Sequence, residues 1–149
     1  KRMGLPVRHL VVASNANNVL TDFLTTGVYD RRRDLVKTIS PSMDILVSSN
    51  LERALYWIDG GNAERTLERM KALQTEGVYR VDAELLAKLQ ETFLAGFSND
   101  DETKDAIRRA WEEEGRLIDP HTAVAWRAAE SHFDPKVPMV PSGATTSIR

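Results

Sequence analysis

Apolar positions change period along the chain. A first run, Val7 to Ala13, is rich in valine and closes on Ser14-Asn15. A short, nearly unbroken apolar run of this kind predicts a buried strand of an α/β sheet. Val19, Phe23 and Leu24 then fall on one side of a helix over residues 18–26, which Gly27 stops. Residues 28–38 read as a polar connection. Ser40-Pro41 predicts a helix start, because serine can cap and proline loses nothing at the first helical position. That helical stretch runs to Asp59, with a break near Ser48-Ser49-Asn50, and ends at Gly60-Gly61.

Four further helices follow from caps and stops. Asn62 opens one with Leu67, Met70 and Leu73 as its apolar stripe and Gly77 as its end. Asp82 opens the next, with Val81 and Leu86 spaced as a hydrophobic staple and Leu85, Leu89 and Phe93 continuing the face. Ser98 or Asn99 opens a helix carrying Ile107, Ala110 and Trp111, closed by Gly115. Asp119-Pro120 opens the last, to about His132. Val137 to Val140 then reads as a second short strand. The class is α/β, mostly helical, with two short strands flanking a helical insertion.

Residues 1–61 and 116–149 read as parts of one sheet-associated unit, and 62–115 as the insertion. Two distant strands make no useful sheet by themselves, so both are expected to pair with strands outside this stretch. The start fits that reading. Lys1-Arg2-Met3-Gly4 has the basic residues and glycine of a helix C-terminus whose helix begins upstream. No internal repeat stands out.

Composition narrows the function classes. The chain of 149 residues carries a net charge of −2, which gives no electrostatic footprint for nucleic acid or an anionic membrane. Its apolar runs are too short to cross a bilayer. There is no cysteine, which excludes disulfides, zinc-thiolate sites and thiol nucleophiles. No histidine pair has metal-ligand spacing with a carboxylate, so no metal is expected. A cytoplasmic protein is the simplest expectation.

Three places carry candidate chemistry. Asn15-Ala16-Asn17-Asn18 follows the first predicted strand, where α/β sheets bind ligands. Asparagines there also cap helices and fill turns, and by residue type that is the plainer reading. Ser40-Pro41-Ser42-Met43-Asp44 places free N–H groups and a hydroxyl at a helix start, a phosphate-type anion site. Helix capping explains Ser40 and Pro41 fully and is the plainer reading. Asp119-Pro120-His121-Thr122 repeats the arrangement, with a histidine disfavoured as a cation by the helix dipole. A half-buried structural histidine is the plainer reading, ahead of a general base. Thr122-Ala123-Val124-Ala125 is a small face that suits a sheet or a flat ligand. Arg31-Arg32-Arg33 reads as a solvated loop or a phosphate contact. Trp57, Trp111 and Trp126 read as core residues.

The order ASNANNVLTDFLTTGVYD, then SPSMDILVSSNLER (Ser40 to Arg53), then LIDPHTAVAW resembles threonine synthases of the bacterial and fungal type. The resemblance runs from Lys1 to Arg127. Asp119 to Trp126 is similar to the acidic-Pro-x-x-Ala segment of fold-type II pyridoxal-phosphate (PLP) enzymes. KRMGLPV resembles the helix end that follows the family's Gly-Asn-Phe-Gly-Asn phosphate loop.

The resemblance implies PLP as cofactor and conversion of O-phospho-L-homoserine and water to L-threonine and phosphate. It implies a Schiff-base lysine upstream. None of the six lysines here (Lys1, Lys37, Lys71, Lys88, Lys104, Lys136) sits in a segment like that motif, so no catalytic lysine is assigned. It implies Asn15, Ser42 and Asp44 on the substrate side, and Asp119, His121 and Thr122 on the cofactor side. The family's final hydroxyl meets the PLP pyridine nitrogen. Here Gly143 stands where threonine is expected, which leaves Ser142 or Thr145 for that contact. The missing N-terminal part of such an enzyme is the expected partner, and the chain alone is expected to be inactive. A non-catalytic helical interaction module and a PLP phospho-lyase acting on the same substrate are the rival readings.

Overall fold

The computed structural model describes Gly4 and residues 6–140. Ser142, Thr145 and the helix end expected at residues 1–3 lie outside the described residues. Two ladders organise the chain, one nested inside the other. The outer pairs β1 (Leu10–Ser14) in parallel with β4 (Phe93–Phe97), from Leu10 opposite Phe93 to Ser14 opposite Phe97. The inner pairs β2 (Val28–Asp30) antiparallel with β3 (Val78–Arg80), Tyr29 opposite Tyr79.

The α/β class is as the pattern predicts, but the strands differ. Residues 137–140 form no strand. Within residues 62–115, β3 and β4 supply partners for β2 and β1. Phe93, expected on a helix face, sits in β4.

Local rules explain the helices. α1 (Val19–Thr26) ends where Gly27 turns left-handed at φ 75° and donates its N–H to Phe23 O. α2 (Ser49–Ile58) starts at the expected break, and Ser40-Pro41 starts only a 3₁₀ turn, Pro41–Met43. Asn62 caps α3 (Ala63–Thr75) through Arg65 N–H, and Asp82 caps α4 (Ala83–Gln90) through Leu85 N–H. Asn99 and Glu102 form a capping box on α5 (Asp100–Glu114). Asp119 accepts from the His121 and Thr122 N–H groups to open α6 (Pro120–Glu130).

The core gathers on the inner ladder. Phe23, Leu55 and Leu89 are fully buried around Tyr29 and Tyr79, whose rings stack with centroids 5.3 Å apart. Tyr29 also bridges the chain to the next segment: its hydroxyl donates to Leu46 O and accepts from Ser48 N–H, each at 3.0 Å. Leu73 and Met70 join this core from α3, while Leu67 points to solvent. Trp57 and Trp111 are more than half exposed and are not core residues; Trp126 is half-buried. The three arginines of the loop have partners within the chain. Arg31 reaches Leu73 O and Gln74 O, Arg32 pairs with Asp30, and Arg33 with Asp22.

α1 and α6 both pack on the outer ladder, and α5 packs on α6. α6 approaches β4 closely because Gly96 has no side chain; a Cβ there would lie 2.7 Å from Ala128 O. Ala123, Val124 and Ala128 are buried in the same contact. Among the described residues no helix is long and apolar enough to cross a membrane.

Candidate functional site

The C-terminal end of β1 runs into a buried polar knot. Asn15 is 1% exposed. Its Oδ1 accepts from Asn17 N–H at 2.9 Å, a tight Asx turn that reverses the chain into α1. Its Nδ2 lies 2.7 Å from Asp44 Oδ1, 2.9 Å from Thr38 Oγ1 and 3.1 Å from Ser40 Oγ. Asn17 adds a second clamp: it donates to Val36 O at 2.8 Å and its Oδ1 accepts from Val36 N–H at 2.9 Å. One residue pair thus fastens the distant 36–44 segment to the end of β1. Asn15 thus fills a turn, whereas Asn18, at the start of α1, makes no side-chain cap.

Asp44 is the focus of the knot. Its Oδ2 accepts from Thr38 N–H at 3.0 Å, and its Oδ1 from Thr38 Oγ1 at 2.7 Å and Asn15 Nδ2. Burial alone would raise the carboxyl's pKa. The Thr38 N–H and hydroxyl and the Asn15 amide outweigh it, so Asp44 titrates below its usual range.

Ser40 corrects the helix-start expectation. It is fully buried, and its hydroxyl turns toward Asn15 and Thr38 instead of capping. The chain leaves the 3₁₀ turn at Asp44, so residues 40–44 do not form the helix N-terminus expected for an anion.

α6 brings the second group. Asp119 Oδ2 accepts from Thr122 Oγ1 at 2.5 Å, and Oδ1 from the His121 and Thr122 N–H groups. The Thr122 hydroxyl bond is the strongest of the effects that hold the Asp119 carboxyl below its usual range, against partial burial. His121 Nδ1 lies 3.1 Å from Asp119 Oδ1, and His121 Nε2 lies 3.4 Å from Ser42 N. The two groups therefore meet at Ser42.

A cavity of about 780 Å³ opens beside this junction, in the size range of small-molecule sites. Val11, Ala13 and Leu94 of the outer ladder and Ala125 and Ala129 of α6 give it apolar walls. Ser42, Met43 and His121 also line it, with Arg8, His9, His132 and Asp134 as further polar lining. A smaller cavity of about 130 Å³, against Tyr29 and Asn17, shares Ser42 and Met43 as wall. Apolar walls with hydrogen-bonding groups among them suit an aromatic heterocycle such as the pyridine of PLP. Of the residues expected from the sequence, Asn15 and Asp44 are joined directly, as are Ser42 with His121 and Asp119 with Thr122. Asn17 and Thr38 were missed. Asn17 had a signal in the asparagine cluster; Thr38 had none.

The chain as a whole matches known proteins. The chain is 41% identical over 141 residues to the human "Threonine synthase-like 1" and 36% identical over 150 residues to the threonine synthase of Pseudomonas aeruginosa. A crystal structure of PLP-bound threonine synthase from Brucella melitensis superposes with a TM-score of 0.90 at 35% identity, covering 95% of this chain. The chain belongs to the threonine synthase family. It spans 19% of the human relative, 32% of the Pseudomonas enzyme and 31% of the Brucella chain. No family model matches it. Pyridoxal phosphate is the cofactor of this family, and its fold-type II α/β architecture is the one described above.

Proposed function

We propose that this chain supplies one wall of a threonine synthase active site, in a protein that converts O-phospho-L-homoserine and water to L-threonine and phosphate. The observation that carries the reading is the junction at Ser42, where the Asn15–Asp44 knot meets the Asp119–His121–Thr122 cap beside the cavity. PLP, when bound, supplies an electron sink that lets protons leave Cα and Cβ. The chain's own residues position and exclude. Asn15 and Thr38 hold the Asp44 carboxylate ionised and fixed. Ser42 and Asp44 line the substrate side, and Asp119, His121 and Thr122 the cofactor side. The alanines of α6 keep water from the apolar wall. Ser142 or Thr145 would meet the pyridine nitrogen. The Schiff-base lysine and phosphate loop come from the remaining part of the enzyme, which is the partner this chain needs.

The test uses the protein made from the whole reading frame, supplied with PLP and O-phosphohomoserine. Threonine and inorganic phosphate are expected, with none from the 149-residue chain alone. Absence of phosphate release from the whole protein would overturn the assignment. A second reading has one observation in its favour: the relative at 41% identity is named threonine synthase-like. In that case phosphate is released but the carbon product is a keto acid, and product analysis separates the two.

A further inference from the structure

We propose that His121 is a positioning residue, which in its neutral Nδ1–H form clamps the Ser42–Met43 turn onto α6. The tautomer follows from the neighbours. A backbone N–H can only donate, so the contact from Ser42 N requires a bare Nε2. The ring's single proton then lies on Nδ1, facing Asp119 Oδ1. Asp119 is held in place for that role by the Thr122 hydroxyl and two backbone N–H groups.

The turn needs such a clamp. Its two ends are anchored: Ser40 is buried under Asn15, and Asp44 is held in the polar knot. Between them the turn closes on itself, Met43 N–H donating to Ser40 O and Asp44 N–H to Pro41 O. The Ser42 N–H has its acceptor on α6 instead. Ser42 and Met43, together with Ala13 of β1, line both the larger and the smaller cavity. The bond to His121 therefore fixes the turn's share of that wall, next to Asp44. Without it that wall moves, and the substrate side of the proposed site changes shape. His121 thus acts through Ser42, and both ring nitrogens are already engaged within the chain. The effect on activity rests on the threonine synthase reading; the tautomer and the clamp do not.

Nitrogen-15 spectra of the histidine side chains test the tautomer in the unmodified protein. A bare Nε2 on His121 is expected, and a protonated Nε2 overturns the proposal. Amide exchange at Ser42 in His121→Gln and His121→Asn tests the clamp. A glutamine carbonyl reaches the Nε2 position and can accept from Ser42; an asparagine reaches only to Nδ1. Exchange at Ser42 is expected to rise about fivefold in His121→Asn, the loss of roughly 1 kcal/mol of hydrogen bond, with much less change in His121→Gln. Equal exchange in the two variants overturns the clamp. In the active protein KM for O-phosphohomoserine is expected to rise more in His121→Asn than in His121→Gln. A protein without activity sinks the functional reading and leaves the spectral and exchange results to decide this one.

Discussion

Asp44 is a half-buried carboxylate whose charge is maintained by donated N–H and O–H groups. Its folded pKa is depressed, so the stability it contributes is complete above the ordinary carboxylate range, about pH 4, and is lost as pH falls through the lower folded value. Asp44→Asn is therefore expected to make the acid limb of a stability–pH profile shallower, measured by urea unfolding of both proteins at a series of pH values. A profile that keeps its slope would remove Asp44 from that role. The two stacked tyrosines offer a contrast at the same level. Tyr79 buries a hydroxyl that has no partner among the described residues, and burial pushes its pKa up. Tyr79→Phe is expected to be neutral or stabilising by up to about 1 kcal/mol. Tyr29→Phe leaves the Leu46 carbonyl and Ser48 N–H without their partner and is expected to cost about 1–2 kcal/mol. Denaturant midpoints of the two variants should move in opposite directions or differ clearly.

Among the elements, the contact of α6 with β4 sets the wall of the proposed site. Gly96→Ala drives a methyl against the Ala128 backbone, which cannot move without shifting the helix. The expected loss is about 1–3 kcal/mol, with weaker ligand binding, read from thermal unfolding and PLP titration of the whole protein. Unchanged unfolding would show that α6 sits further from the sheet. The helices were readable in the sequence because their ends are chemical. Asn62, Asp82, Asn99 and Asp119 each accept from the backbone N–H groups they were expected to cap. Strands β2 and β3 were not, since three residues give no period to read. One signal did exist: Gly27-Val28-Tyr29 and Gly77-Val78-Tyr79 repeat the same glycine, valine and tyrosine, and the two copies pair. Phe93 kept the apolar spacing of α4 and was assigned to its face, although the helix stops at Gln90. Ser40 looked like a cap because capping depends on local sequence. Its real partner, Asn15, is a tertiary contact that no local pattern encodes. Asp44 and His121 lay in helix-start patterns and were given a side of the site by the family resemblance, while Thr38, which holds Asp44, carried no motif.

For the molecule as a whole, the proposed site is assembled from segments remote in sequence: the end of β1, residues 36–44 and the start of α6. None of them could be lost without disturbing the others. The two ladders also lie one within the other along the chain, β2 and β3 between β1 and β4. That nesting dictates a temporal order. Pairing Tyr29 with Tyr79 closes the shorter excursion and buries the aromatic rings, and it shortens the free path between Leu10 and Phe93 before they must meet. Refolding should zip from the inside outward. Pulse-labelled amides at Val28–Asp30 are expected to gain protection before those at Leu10–Ser14, and the reverse sequence would mean that the parallel pair nucleates independently.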